Sequence, residues 1–210
     1  DGEKGSRIRV YRFERRPSST TEPTAEPSSE SCPSGCELAE SLHIVEAIDG
    51  PGIGKANRWQ HQLAVGPFGP NREMELVETV TPHIGGQLRY YQLRKSDGAK
   101  RVLETVATTS GDFTTHYIGS RNLDMALGLD VDGDGQAELL VQSHGRDRLV
   151  LVRRGGGGGG AEGVNVVATF STGRQADTNF GVACRVVDAN NATNNVSSST
   201  VVHDVMVGLG

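Results

Sequence analysis

Nine residues, Asp130-Val131-Asp132-Gly133-Asp134-Gly135-Gln136-Ala137-Glu138, carry the sharpest chemical signal in the sequence. Carboxylates at loop positions 1, 3 and 5 converge on one side of a tight turn, and glycines at positions 4 and 6 let the backbone make it. Such a cluster suits a hard cation that takes 6 to 8 oxygen ligands, and Ca²⁺ fits best. Without an ion, four carboxylates this close repel one another, so ion binding is expected to order the hairpin. An EF-hand opens with the same spacing but requires a bidentate Glu at position 12 between two helices. Position 12 here is Val141, the acidic residue falls at position 9, and the flanks Met125 to Leu129 and Leu139 to Val141 read as strands.

The elements that must hold this loop recur along the chain. Leu42 to Ile48, Arg101 to Ala107 and Val164 to Phe170 are runs rich in β-branched residues, each read as the first strand of a unit. Second strands follow at Gln62 to Gly66, Met125 to Asp130 and Val182 to Asp188; third strands at Met74 to Val77, Glu138 to Val141 and His203 to Val207. Leu88 to Leu93 and Arg148 to Val152 read as fourth strands, and Arg7 to Phe13 matches them. Taking Val65, Leu129 and Val187 as equivalent, the periods are 64 and 58 residues. Four short antiparallel strands per repeat predict an all-β chain of β-propeller blades, and three blades are too few to close a ring, so a partial propeller is expected. The expected division is residues 1–13 as the last strand of a preceding blade, 14–40 as a low-complexity insert, 41–93 and 94–153 as blades, 154–163 as a Gly-rich linker, and 164–210 as an incomplete blade. The Ser/Thr/Pro/Glu-rich, charged and six-glycine segments are thereby placed between successive units.

A nine-residue Asp/Gly loop between strands of such a repeat resembles the calcium loop of FG-GAP/VCBS repeats, the family of the integrin α-subunit propeller. That resemblance implies side-chain ligands from Asp130, Asp132, Asp134 and Glu138 with the carbonyl of Gln136 as a fifth, and a non-catalytic binding or scaffold module, extracellular or at the cell surface, with a protein or glycan partner. The corresponding loop of the first unit, Gly66 to Glu73, lacks aspartates and carries Arg72, so no ion is expected there. In the third unit, Asp188, Asn190 and Asp204 are a weaker second candidate set, divided by an Asn/Ser/Thr-rich insertion.

Other residues point less sharply. Gly155 to Gly160 lack the Lys-Ser/Thr that a phosphate-binding P-loop needs and read as a linker. His83 and His144 occupy equivalent turns, where a hydrogen bond to the backbone of a neighbouring turn is expected. Trp59, Phe68, Tyr90 and Tyr91 have the chemistry to stack on sugars, as in propeller lectins, or to fill a core. No nucleophile with a base, and no carboxylate pair outside the Asp130 loop, suggests catalysis, although some polysaccharide lyases use calcium-bearing propellers. The formal charge of −5 gives no basic field for nucleic acid, and no apolar run reaches the roughly 18 residues of a membrane span. Cys32 and Cys36 have the spacing for a small disulfide loop, and Asn191 and Asn195 begin glycosylation sequons, both in keeping with a secretory route.

Overall fold

The computed structural model describes residues 6–15, 42–96, 100–156, 163–189 and 198–206, except for the side chains of 42, 184–189 and 198–204. Cys32, Cys36, Asn190, Asn191 and Asn195 lie outside the described residues. The fold is all-β, and every strand pairing is antiparallel. Strands β3 (Gln60–Gly66), β4 (Glu75–Val80), β5 (Gln87–Lys95) and β6 (Arg101–Thr108) form a four-stranded meander in sequence order. A second sheet runs from β11 (Val164–Ser171) through β10 (Arg148–Arg154) to β9 (Glu138–Ser143). Its far edge is shared by two short strands, β8 (Ala126–Leu129) along the start of β9 and β7 (Phe113–Thr114) along its end. Two hairpins complete the set, β1 (Arg9–Arg15) with β2 (Leu42–Asp49), and β12 (Gly181–Ala189) with β13 (Ser198–Met206). These blade-like sheets do not close into a barrel, an architecture consistent with a partial β-propeller. None of the described helices is long and apolar enough to cross a membrane.

The sheets run one strand out of phase with the units expected from the sequence. Arg101–Thr108, expected to open the 94–153 blade, instead pairs along β5 and closes the sheet that begins at Gln60. Leu42–Asp49 likewise pairs with β1, and Val164–Ser171 with β10. The division at 94, at 154 and at 164 therefore falls inside hairpins, and the breaks between sheets fall at 50–59, 109–112 and 172–180. The physical reason is that strands consecutive in sequence tend to pair with each other as antiparallel neighbours, whatever the composition of the segment between them.

Each of these outer hairpins carries the same irregularity. Register shifts opposite Arg12/Phe13, Tyr90/Tyr91 and Leu151/Val152 leave one unpaired residue in the last strand, Val45, Val106 and Val167, 61 residues apart in both steps. One extra residue reverses which face the following side chains occupy. In β6 this sends Leu103 to one layer and Ala107 to the other. The larger core joins the four-stranded sheet to the five-stranded one through Phe68, Val77, Leu88, Tyr90, Leu139, Val141 and Val152, with Phe68 and Tyr90 in an edge-to-face contact at 5.9 Å. A smaller core of Ile8, Ile48, Tyr91 and Leu103 attaches β1 and β2 to the other face of the β3 to β6 sheet.

Candidate metal centre

The Asp130 to Glu138 loop joins β8 to β9 and is organised by its own backbone amides. Gly133 N–H and Gly135 N–H donate to the two carboxylate oxygens of Asp130, both at 2.8 Å. Asp134 N–H donates to Asp132 Oδ1 at 3.2 Å, Gln136 N–H to Asp134 Oδ1 at 2.7 Å, and Val131 N–H to Glu138 Oε2 at 2.9 Å. Gly133 and Gly135 stand at φ of 77° and 86°, the left-handed region that a Cβ disfavours, which explains glycine at both positions. The result is a tight loop in which backbone amides hold the carboxylates of Asp130, Asp132, Asp134 and Glu138, with the Asp132 and Asp134 side chains about half exposed.

Asp130, Asp132 and Glu138 each place an oxygen within 4.8 Å of the others. Asp134 lies outside that triplet, and the Gln136 side chain is spent on structure, with Nε2 donating to the carbonyls of Phe68 and Arg154, both at 2.8 Å. Glu138 is 2% exposed, and burial pushes its carboxyl up against the pull of the Val131 amide and Arg153. Its Oε1 accepts no hydrogen bond, although Arg153 Nε lies 3.0 Å away as an ion-pair partner; that N–H is directed to Gln136 Oε1 at 3.2 Å. A buried carboxylate oxygen without a hydrogen bond, beside two further carboxylates, fits a hard divalent cation.

A feature the sequence pattern does not show is the cation already at the loop's rim. Arg153, on β10, reaches Asp132 Oδ2 at 2.9 Å and also pairs with Asp134. The guanidinium holds Asp132 below the usual carboxylate range, and its own pKa rises in return. Arg72, from the first unit's loop, donates to the carbonyl of Asp134. That loop has no acidic cluster: Glu73 accepts from the backbone and side chain of Asn71, at 2.9 and 3.0 Å, and Phe68 enters the core. The first unit thus contributes an arginine to its neighbour's loop.

The second candidate set does not gather. Pairing of β12 with β13 puts Asp204 opposite Ala183 and Asp188 opposite Ser199, five residues apart along the ladder, or about 17 Å at strand spacing. Asn190 lies outside the described residues. The register alone puts the two aspartates at different levels of the hairpin.

The candidate sugar-stacking set separates in the same way. Phe68, Tyr90 and Tyr91 are buried in the two cores, where their area stabilises packing, and only Trp59 is exposed. His144 accepts a hydrogen bond from the Gly85 amide of the neighbouring turn at 3.3 Å, as expected for it, whereas the Nδ1 of His83 is buried without a hydrogen-bond partner. His116, which no local spacing marks, lies edge to face with both His83 and His61. No protein-family model, curated protein or solved structure matches the chain.

Proposed function

We propose that this chain is a calcium-stabilised binding module of FG-GAP/VCBS-like blades, in which Ca²⁺ on the Asp130 to Glu138 loop fixes the geometry of the β8–β9 connection. The module acts at the cell surface or outside the cell, presenting a scaffold to a protein or glycan partner without catalysing a reaction. The observation that supports this reading is the convergence of Asp130, Asp132 and Glu138 oxygens on a loop whose amides already orient them. Asp134 and the Gln136 carbonyl complete the ligand set. The ion is structural in this reading because its ligands join two paired strands, β8 and β9. It is bound by oxygen donors only, which suits Ca²⁺ over softer metals.

The test is thermal unfolding against Ca²⁺ concentration. Binding to the folded state alone raises stability by RT ln(1 + [Ca²⁺]/Kd), about 2.7 kcal/mol at a hundredfold excess over Kd. Wild type is expected to melt at rising temperature as Ca²⁺ increases, and the Asp132→Ala/Asp134→Ala variant at a constant one. Equal responses of the two proteins would sink the assignment. A glycan array with product analysis then separates a protein partner, saturable glycan binding and polysaccharide turnover.

A further inference from the structure

The two hairpins at either end of the fold are complementary halves of one sheet. The shared bulge aligns β1 with β5 and β10, and β2 with β6 and β11. Stacking agrees, because β2 lies against β6 while β3 lies against β8. β1 and β2 are therefore the third and fourth strands of a sheet. β12 and β13 match the first and second. The connection between them is eight residues long, 190–197, as are those from β3 to β4, 67–74, and from β8 to β9, 130–137. Phe180 N–H, just before β12, donates to the Asp124 carbonyl, just before β8, at 2.9 Å, so β12 starts beside the strand it matches. Among the described residues β1 pairs with β2 alone and β13 with β12 alone. The edge of β1 that takes a second strand and the edge of β13 that takes a third are both open.

Exposed apolar side chains fall on the faces that such a sheet would bury. Val10 packs in the smaller core, so strand alternation turns Tyr11 and Phe13 to the opposite face, and Ile44, paired with Phe13, joins them there. All three are exposed, Phe13 by 55%. By the shared bulge, Tyr11 and Phe13 stand where Val150 and Val152 stand in β10, and Val152 is 1% exposed in the core against the preceding sheet. The other end of the stack carries the matching surface. Val150 and Val152 face that core, so Leu149 and its cross-strand partner Phe170 face away from it, and Phe170 is 53% exposed. Their counterparts in the first full sheet, Leu88 and Thr109, are buried on the face toward the next sheet.

We propose that two copies of the chain join head to tail, β13 of each pairing with β1 of the other, and so close a six-sheet propeller. Each copy supplies two whole sheets and two halves, which amounts to three sheets. One copy closing on itself gives three, two copies six and three copies nine, and only six falls within the range of about 4 to 8 in which propellers close. The contact is reciprocal, as twofold symmetry requires, because each copy offers one β1 edge and one β13 edge. Backbone hydrogen bonds along those edges give the attachment, as in strand addition. Tyr11, Phe13 and Ile44 of one copy then lie over Phe170 of the other. An open strand edge flanked by exposed aromatic side chains is an association-prone surface until it is covered. The closure rests on the propeller stacking of the sheets and not on the Ca²⁺ loop.

The experiment is sedimentation velocity of the whole chain at micromolar concentration. Wild type is expected to run as a compact dimer. Phe13→Asp and Phe170→Asp change side chains that are exposed in a single copy, so both variants should keep the wild-type circular dichroism. Each should raise the dimer dissociation constant at least about thirtyfold. Hydrogen exchange reads the edge itself: amides of residues 9–15 should exchange more slowly in wild type than in Phe170→Asp, whose β1 is unaltered. That difference ties β1 to a face at the other end of the stack. A wild-type monomer, a continuous series of larger oligomers, or a dimer that survives either substitution overturns the proposal.

Discussion

Arg153→Gln isolates the contribution of the guanidinium at the carboxylate loop. Arg153 pairs with Asp132, Asp134 and Glu138, three of the residues assigned to Ca²⁺, so ion and guanidinium compete for the same oxygens. The side chains of Arg153, Asp132 and Asp134 are 26%, 50% and 48% exposed, so the permittivity of water is the appropriate one. A divalent ion about 5 Å from a guanidinium that stays in place is then opposed by about 1.7 kcal/mol. At about 1.4 kcal/mol per decade, its removal should lower the Kd for Ca²⁺ by about tenfold. Glutamine keeps part of the side chain's reach while deleting the charge. The same change should lower the melting temperature in the absence of Ca²⁺, because the carboxylates lose their counter-ion, and should steepen its rise with Ca²⁺. Calorimetric titration at low and physiological salt measures the effect, which should shrink as salt screens it. A Kd within twofold of wild type, or weaker binding, refutes the competition and assigns Arg153 to holding the loop in shape.

Two further outcomes follow from buried charge. Glu78 is fully buried and raised to about 7, chiefly by burial, against the opposing hydrogen bonds from Tyr91 and Gln60 and the pull of Arg89. Its folded pKa lies above its unfolded one, so the native state holds the extra proton, and Glu78's contribution to stability falls as pH rises from about 4.5 to about 7, by up to about 3 kcal/mol. Glu78→Gln should flatten that decline in denaturant titrations at pH 5 and pH 8 and leave the pH 8 protein more stable than wild type. Arg154 bonds buried Glu75 at 3.0 Å and the Gly163 carbonyl at 2.8 Å, so Arg154→Met, which strands the carboxylate, should cost about 3 to 5 kcal/mol in urea unfolding.

The turn was readable in the sequence because the amides and carboxylates that make it lie within nine residues. Aspartates, glycines and flanking strands all state the same turn. Phase was harder to read, since a strand's pattern does not say which neighbour it pairs with. The segment around 96–100 looks like a boundary by composition, yet it joins two strands that pair with each other. The spacing of Val45, Val106 and Val167 gives a constant 61-residue step, where points chosen by strand pattern gave 64 and 58. Val65, Leu129 and Val187 scatter because the second unit divides its edge strand into β7 and β8, whereas the first keeps β3 whole. Arg153 and the histidine cluster were hidden for a different reason. Arg153 stands one step past the Val152 to Leu139 pair and so faces Glu138 only once the β9–β10 register is set. His116, from the second sheet, meets His61 and His83 of the first at separations that no local motif encodes.

The most direct measurement is a calorimetric titration of wild type and of Asp132→Ala/Asp134→Ala with Ca²⁺ in metal-free buffer. The calcium-loop account predicts one Ca²⁺ per chain for wild type and none for the variant, with both proteins folded by circular dichroism. Absence of binding by folded wild type at millimolar Ca²⁺, or equal binding by both proteins, would contradict it and leave Arg153 as the permanent counter-ion of a purely structural turn.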